Sequence, residues 1–215
     1  MLVGHVAVGF IVKRAHPRMS LGLAVFAALL ADFLVFALIL AGVEHVHFGT
    51  GRGAGQYFIG EQIAFSHSFL ANVVCGAALA LIAARRSRDR RAAWLLGAAV
   101  VSHWVLDFVS HRPDMPLAPW LPWKLGLGLW TSIPATLVVE GGLWFMALAV
   151  FTRSARPLSR ARTAIVAIGA ALLTLVWIGN IAGPPPSNPA TAPVASLVFF
   201  SLVVLWTYWL DRRAT

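Results

Sequence analysis

The sequence predicts an all-α, polytopic membrane protein: a helical bundle of about six transmembrane helices preceded by a short membrane-embedded helix at the N-terminus. Composition supports this class, because 59% of the 215 residues are hydrophobic and only 12% are charged. The apolar residues also gather in runs of about twenty, the length of helix that crosses a bilayer core. We therefore expect one integral membrane domain over residues 1–215, with the polar motifs in residues 1–130 and additional transmembrane helices in residues 131–215.

The predicted helices follow one another along the whole chain. A short apolar stretch, Leu2 to Val12, comes first and either spans or re-enters the membrane. Cys75 lies inside a later run, and as the single cysteine it can form no intrachain disulfide. The six runs of membrane length cover residues 19–42, 64–84, 92–111, 133–152, 163–182 and 192–210.

The placement of the basic residues predicts the topology. Fourteen of the 17 Lys and Arg residues fall on one side of the predicted membrane, and three fall on the other. Because cytoplasmic loops accumulate Lys and Arg, we expect a multi-pass membrane protein with a cytoplasmic C-terminus. The net charge of +9 is then explained without a nucleic-acid partner. The fourteen are Lys13, Arg14, Arg18, Arg85, Arg86, Arg88, Arg90, Arg91, Arg153, Arg156, Arg160, Arg162, Arg212 and Arg213, and the three are Arg52, Arg112 and Lys124.

One predicted transmembrane helix carries ionisable residues at a regular spacing. His103, Asp107 and His111 lie four residues apart, so their side chains share one face of the helix. Such side chains are costly against lipid, and where they occur they usually face the protein interior and serve a function. The spacing therefore predicts a functional site.

Depth in the membrane brings other polar residues to the same level. At about 1.5 Å of rise per residue from the basic flanks, His103 lies roughly 18 Å deep, Asp107 about 24 Å and His5 about 12 Å. Glu140, about 20 Å deep, either joins this set or serves helix packing beside Gly141. We expect an outward-opening cavity lined by His5, Asp32, His67, His103 and Asp107, with His111 and Glu140 as further candidates.

The expected set of side chains suits a divalent metal ion. Imidazoles and carboxylates without a thiolate favour Zn, with Mn or Fe as alternatives, and leave a position open for water or substrate. A metal ion of this kind activates water for hydrolysis, with Glu140 or Asp32 as the proton acceptor. The candidate metal ligands are His5, Asp32, His67, His103, Asp107 and His111. Ser66 and Ser68 lack a Gly-x-Ser-x-Gly context, so we expect them to hydrogen-bond the histidine or the backbone.

Short motifs in the first part of the chain resemble a known family, the membrane-bound metal-dependent hydrolases of bacterial inner membranes. They are Gly4-His5 followed by Lys13-Arg14, Ala31-Asp32, Ser66-His67-Ser68, and Ser102-His103 followed by Asp107 and His111. The similarity covers mainly residues 1–130 and looks closest to a branch with the runs Ser102 to Pro113 and Gly126 to Trp130. The resemblance implies that the protein lies in the bacterial inner membrane and that His5, Asp32, His67, His103 and Asp107 form the metal site.

These observations lead to one main hypothesis and two alternatives. The main hypothesis is a metal-dependent hydrolase that acts on a lipid or amphiphilic ester or phosphoester near the outer leaflet, with membrane lipid as its partner. A metal-ion or proton transporter could use the same side chains, and a non-catalytic membrane protein could hold them as a structural polar network. Trp120, Trp123 and Trp130 predict an interfacial aromatic belt, with a loop that covers the site as the alternative.

Overall fold

The protein is a bundle of α-helices with two small β-hairpins. The structure, a computed structural model, describes residues 1–49, 58–153 and 159–212. Within these residues the helices are α1 (Leu2–Ala15), α2 (Leu21–Ala28), α3 (Leu30–Leu40), α4 (Ala64–His67), α5 (Phe69–Ser87), α6 (Arg90–Ser110), α7 (Ile133–Thr152), α8 (Arg160–Ala182) and α9 (Ala192–Arg212). The predicted all-α membrane class is thereby confirmed.

Six membrane crossings fit the lengths of these helices. Five of them, α5 to α9, are each long and apolar enough to cross a bilayer. The pair α2 and α3, which meet at an angle of 57° at Leu29, adds a sixth crossing if it forms one broken span. The predicted run 64–84 is also interrupted, because Ser68 is extended (φ −75°, ψ 150°) and separates α4 from α5. Both interruptions lie beside the polar cluster described below.

Helix α1 lies at the centre of the bundle and packs against α2, α6 and α7. Its residues Val3, Ala7 and Phe10 are fully buried in the main hydrophobic core. Gly9 allows a close approach, since a Cβ there would lie only 2.8 Å from the Cα of Val25 in α2. The short N-terminal helix is therefore enclosed by protein.

Basic segments of the chain share one end of the bundle, which we call the basic end. Lys13 Nζ lies 2.5 Å from Asp211 Oδ1 at the end of α9, and His16 Nε2 lies 2.8 Å from Asp89 at the start of α6. The turn after α1, the α5–α6 loop and the end of α9 are thus on one side, as the charge pattern predicts. Arg52, Arg156 and Arg213 of that prediction lie outside the described residues.

The opposite end of the bundle carries the short strands. β1 (His45–Phe48) pairs antiparallel with β2 (Phe58–Gln62), and β3 (Met115–Pro116) pairs with β4 (Lys124–Leu125). A 3₁₀ turn, Leu129–Thr131, leads into α7. Of these elements, the 3₁₀ turn contributes Trp130 to the lining of the cavity described below.

Candidate metal centre

The carboxylate of Asp107 lies at the centre of a buried group of imidazoles. Its Oδ2 is 3.0 Å from His103 Nε2 and 3.7 Å from His67 Nε2. Its Oδ1 is 3.0 Å from His5 Nε2 and 4.0 Å from His111 Nε2. Three helices, α1, α4 and α6, and the start of the loop after α6 therefore bring the expected residues together.

Asp32 completes this group, which we call the His/Asp cluster: His5, Asp32, His67, His103, Asp107 and His111. Its Oδ1 lies 3.9 Å from the Nε2 atoms of both His67 and His103. The Asp32 side chain is 18% exposed, whereas that of Asp107 is 3% exposed. Asp32 is therefore the more exposed of the two carboxylates that line the cavity.

The break between α2 and α3 orients His103. Its Nδ1 lies 2.8 Å from the carbonyl oxygen of Ala28, one residue before the break at Leu29. Because a carbonyl oxygen only accepts hydrogen bonds, His103 Nδ1 carries a proton and donates a hydrogen bond to the Ala28 oxygen. The lone pair of His103 Nε2 is thereby directed at the carboxylates of the cluster.

Ser66 orients His67 in the same way. Ser66 Oγ lies 2.8 Å from His67 Nδ1 and donates to the Ile63 carbonyl at 3.5 Å. The hydroxyl oxygen is then available to accept from Nδ1, which leaves the Nε2 lone pair directed at Asp107 and Asp32. The expectation that Ser66 hydrogen-bonds the histidine is confirmed.

Three polar residues stabilise the interrupted chain around His67. Ser68 Oγ accepts from Ala71 N at 3.2 Å and caps α5, as expected for a helix N-terminus. Asn72 Nδ2 donates to the carbonyls of Ser66 and Ser68 at 3.1 and 3.0 Å. Glu44 is fully buried and accepts from the backbone N–H groups of Phe65 and Ser66 at 2.8 and 2.9 Å. Sequence reasoning missed Glu44 and Asn72, because an acidic loop residue and an asparagine in an apolar run are weak signals alone.

The loop after α6 orients His111. Asp114 Oδ1 lies 3.1 Å from His111 Nδ1, so the Asp114 carboxylate accepts a hydrogen bond from Nδ1 while His111 Nε2 faces Asp107. Gly126 allows the returning chain to pack against this point, because a Cβ there would lie 2.5 Å from the His111 carbonyl oxygen. The same return places the Trp130 ring 4.7 Å from the His111 ring.

The three tryptophans therefore differ in position. Trp120 and Trp123 are 73% and 63% exposed, which fits the expected interfacial belt. Trp130 instead lies against His111 and lines the cavity. The position of Trp130 fits the alternative interpretation, in which a loop covers the site.

His5 lies higher in the bundle than the depth count predicts. The count places it below Asp32, but its ring stacks on that of His103 at a centroid distance of 3.7 Å. Helix α1 runs toward the basic end and α6 away from it, and side chains lean toward the N-terminus of their helix. The His5 side chain therefore leans away from the basic end and His103 toward it, which closes the gap. The Met1 amino nitrogen also lies here, 2.5 Å from Asp107 Oδ1 and 3.0 Å from His5 Nε2.

Glu140 lies beside the cluster without a contact to its imidazoles among the described side chains. It is fully buried and accepts from Gly4 N at 3.2 Å and from Trp130 Nε1 at 3.4 Å. A carboxylate at the first turn of α1 is stabilised by the unpaired N–H groups there. The contacts of Glu140 thus support the helix-packing alternative, and its role as a proton acceptor stays a prediction.

A cavity of about 510 Å³ opens from the cluster toward the end that carries the strands. Asp32, His67 and Asp107 are among its lining residues, together with the aromatic side chains of Phe36 and Phe199. The loop with residues 186–188, to which sequence reasoning gave no role, lines its mouth. Polar ligands and apolar side chains therefore meet in one chamber.

The residues present fit a divalent cation. Ligand atoms of His5, His103 and Asp107, and likewise of Asp32, His67 and His103, lie within 4.8 Å of one another. Among the described residues, His103 Nε2 has no partner in hydrogen-bond geometry, although Asp107 Oδ2 is 3.0 Å away. Two facing acceptor atoms repel each other unless a cation lies between them. Histidines whose far nitrogen is held by an acceptor are also typical of metal ligands.

Fold and cluster together define a polytopic helical membrane protein with a buried His/Asp cluster that faces a partly apolar cavity. A family profile described as "YdjM inner membrane protein" matches residues 1–213. The chain therefore belongs to the YdjM inner membrane protein family. Searches of curated proteins and of solved structures gave no significant match.

Proposed function

We propose that this protein is a metal-dependent hydrolase that acts on a lipid or amphiphilic ester or phosphoester. One observation carries the proposal. In His67, His103 and His111 the Nδ1 atom is held by an acceptor, at 2.8, 2.8 and 3.1 Å, and Nε2 is directed at Asp107. A structural polar network needs no such common orientation, whereas a metal centre does.

The ion supported by this set is zinc, with manganese or iron as alternatives, since all the ligand atoms are nitrogen and oxygen. When bound, such an ion activates water as a nucleophile at neutral pH. The chain supplies the rest of the chemistry. Asp32 faces the cavity and is placed to accept a proton from the attacking water, while the buried Asp107 holds the imidazoles in their orientation.

The cavity supports an amphiphilic substrate. Besides the carboxylates and imidazoles, its lining includes Phe36, Phe199 and Phe200, which can contact an acyl chain. Because the cavity opens at the end opposite the basic residues, its position supports entry of the substrate from the outer leaflet. This orientation rests on the positive-inside pattern.

A transporter is less well supported by the contacts. A transit path needs polar groups that continue toward the basic end. In the described part of the chain, Val25, Ala28 and Leu29, at and before the α2–α3 break beside the cluster, are fully buried and apolar. These three residues offer no polar side chain toward the basic end.

An activity assay with a matched carboxylate control tests this proposal. The purified protein in detergent, loaded with Zn²⁺ or Mn²⁺, is offered phospholipids and fatty-acyl esters, and product release is measured. We expect Asp107→Asn to abolish release and Asp89→Asn, at the basic end, to retain it. Equal activity of the two variants would contradict the proposal, and so would metal-loaded wild-type protein that cleaves neither substrate class.

A further inference from the structure

The two oxygens of Asp107 face two different pairs of histidines. Oδ1 lies 3.0 Å from His5 Nε2 and 4.0 Å from His111 Nε2. Oδ2 lies 3.0 Å from His103 Nε2 and 3.7 Å from His67 Nε2. The carboxylate thus has a separate set of nitrogen ligands on each side.

Asp32 belongs to the Oδ2 side only. It lies 3.9 Å from the Nε2 atoms of His67 and His103 and lines the open cavity. The Oδ2 side therefore offers two imidazoles and two carboxylates. Three protein ligands or four, with a position open to the cavity, are what catalytic divalent metals use.

The Oδ1 side already accommodates a positive charge. The Met1 amino nitrogen lies between Asp107 Oδ1, at 2.5 Å, and His5 Nε2, at 3.0 Å. A metal ion bound by these two acceptors would take the place of this amino group, and His111 lies on the same side of the carboxylate.

Ring stacking gives the separation of the two sides. The imidazoles of His5 and His103 are parallel within 8° and 3.7 Å apart, yet their Nε2 atoms reach different oxygens of Asp107. Cations held by these two rings would be spaced much like the ions of two-metal sites, about 3.5–4 Å apart. One ion shared by His5, His103 and Asp107, whose ligand atoms lie within 4.8 Å of one another, is the alternative that metal stoichiometry decides.

We propose that the His/Asp cluster holds two divalent cations bridged by Asp107: one with His5 and His111, the other with Asp32, His67 and His103. This inference rests on the proposed function and narrows its substrate to phosphoesters of lipids. Paired ions suit in-line displacement at phosphorus, because they stabilise both the attacking and the leaving oxygen. In this hydrolysis the water oxygen bonds to phosphorus and the bond from phosphorus to the lipid oxygen breaks. One water proton ends on the leaving alcohol, and the other stays on the phosphate product.

Metal stoichiometry and magnetic coupling test the inference without an activity readout. The full chain in detergent is loaded with Mn²⁺, freed of excess ion, and examined by elemental analysis and electron paramagnetic resonance. We expect two ions per chain and an exchange-coupled spectrum in the wild type. His5→Ala and His67→Ala should each retain one ion with an uncoupled spectrum, while His16→Ala, at the basic end, should retain two.

The outcomes separate this inference from the proposed function. A single uncoupled ion in the wild type would overturn the two-ion site and leave metal-dependent hydrolysis standing, whereas no bound ion would overturn both. If His5→Ala fails to give a monodisperse protein, the wild-type stoichiometry and coupling decide alone. Two ions with cleavage of acyl esters but not of phosphoesters would overturn the substrate class.

Discussion

At the scale of single residues, the cluster depends on the groups that hold the outer nitrogen of each imidazole. Ser66 and Ser68 lie on either side of His67, but their contacts differ. Ser66 is hydrogen-bonded to His67 Nδ1, whereas Ser68 accepts from Ala71 N and caps α5. Ser66 therefore orients the His67 side chain, whereas Ser68 stabilises helix α5.

We expect Ser66→Ala to weaken metal affinity about 10- to 100-fold, the usual effect of removing the group that orients a ligating histidine. Ser68→Ala should leave metal affinity unchanged and lower the free energy of unfolding by about 1 kcal/mol through loss of the cap. Metal titration and thermal unfolding in detergent measure the two quantities. Equal metal affinity of the two variants would contradict the assigned role of Ser66.

Glu44 gives a prediction about pH. Burial raises the pKa of Glu44, although the N–H groups of Ser66 and Phe65 act to lower it. A carboxyl group with a raised folded-state pKa contributes stability that is present below its unfolded pKa and lost as the pH rises through its folded pKa. Glu44→Gln retains an oxygen for both N–H groups and cannot ionise. We therefore expect wild type to lose thermal stability relative to Glu44→Gln as the pH rises above about 4.3, the ordinary pKa of glutamate, and parallel curves would exclude this role.

At the scale of elements, the sequence predicts the helices well and their interruptions poorly. The apolar runs of α6 to α9 end within a few residues of the structure because their lengths match the bilayer. The bend at Leu29 was not predictable, since residues 27–31 contain neither proline nor glycine. The break arises where the Ala28 carbonyl accepts from His103, a contact between residues 75 positions apart.

The loop after α6 gives a prediction at this scale. A Cβ at Gly126 would lie 2.5 Å from the His111 carbonyl oxygen, whereas one at Gly142 in α7 would contact nothing within 4 Å. Gly126→Ala should therefore lower the free energy of unfolding by about 1–3 kcal/mol and shift the fluorescence of Trp130. Gly142→Ala should be neutral or slightly stabilising. Equal thermal stability of both variants would show that the loop does not pack against His111 this closely.

At the scale of the whole molecule, the sequence predicts which residues meet because each span has a known direction and depth. Asp32, His67, His103 and Asp107 come from different parts of the chain, and all lie within one cluster. The predicted depth of His5 was wrong because its side chain leans away from the basic end. Glu140 contacts the first turn of α1. The orientation of each imidazole needs the structure, since Ala28 and Asp114 carry no sequence signal for it.

Topology is a property of the whole chain and can be measured by cysteine labelling. In a Cys75→Ser background, Leu127→Cys should react with an impermeant reagent added outside intact cells. Ser87→Cys, exposed at the basic end, should react only after the membrane is opened. The reverse pattern would place the cavity on the cytoplasmic side and contradict access from the outer leaflet.

The central claim is that the Nε2 atoms of the histidines and the carboxylate of Asp107 hold a divalent metal ion. Elemental analysis of the detergent-purified wild type beside His103→Ala and Asp107→Asn, all checked for monodispersity, tests it most directly. We expect near-stoichiometric zinc, manganese or iron in the wild type and its loss from both variants while they remain folded. A wild-type protein that contains no metal and takes up none would contradict the account.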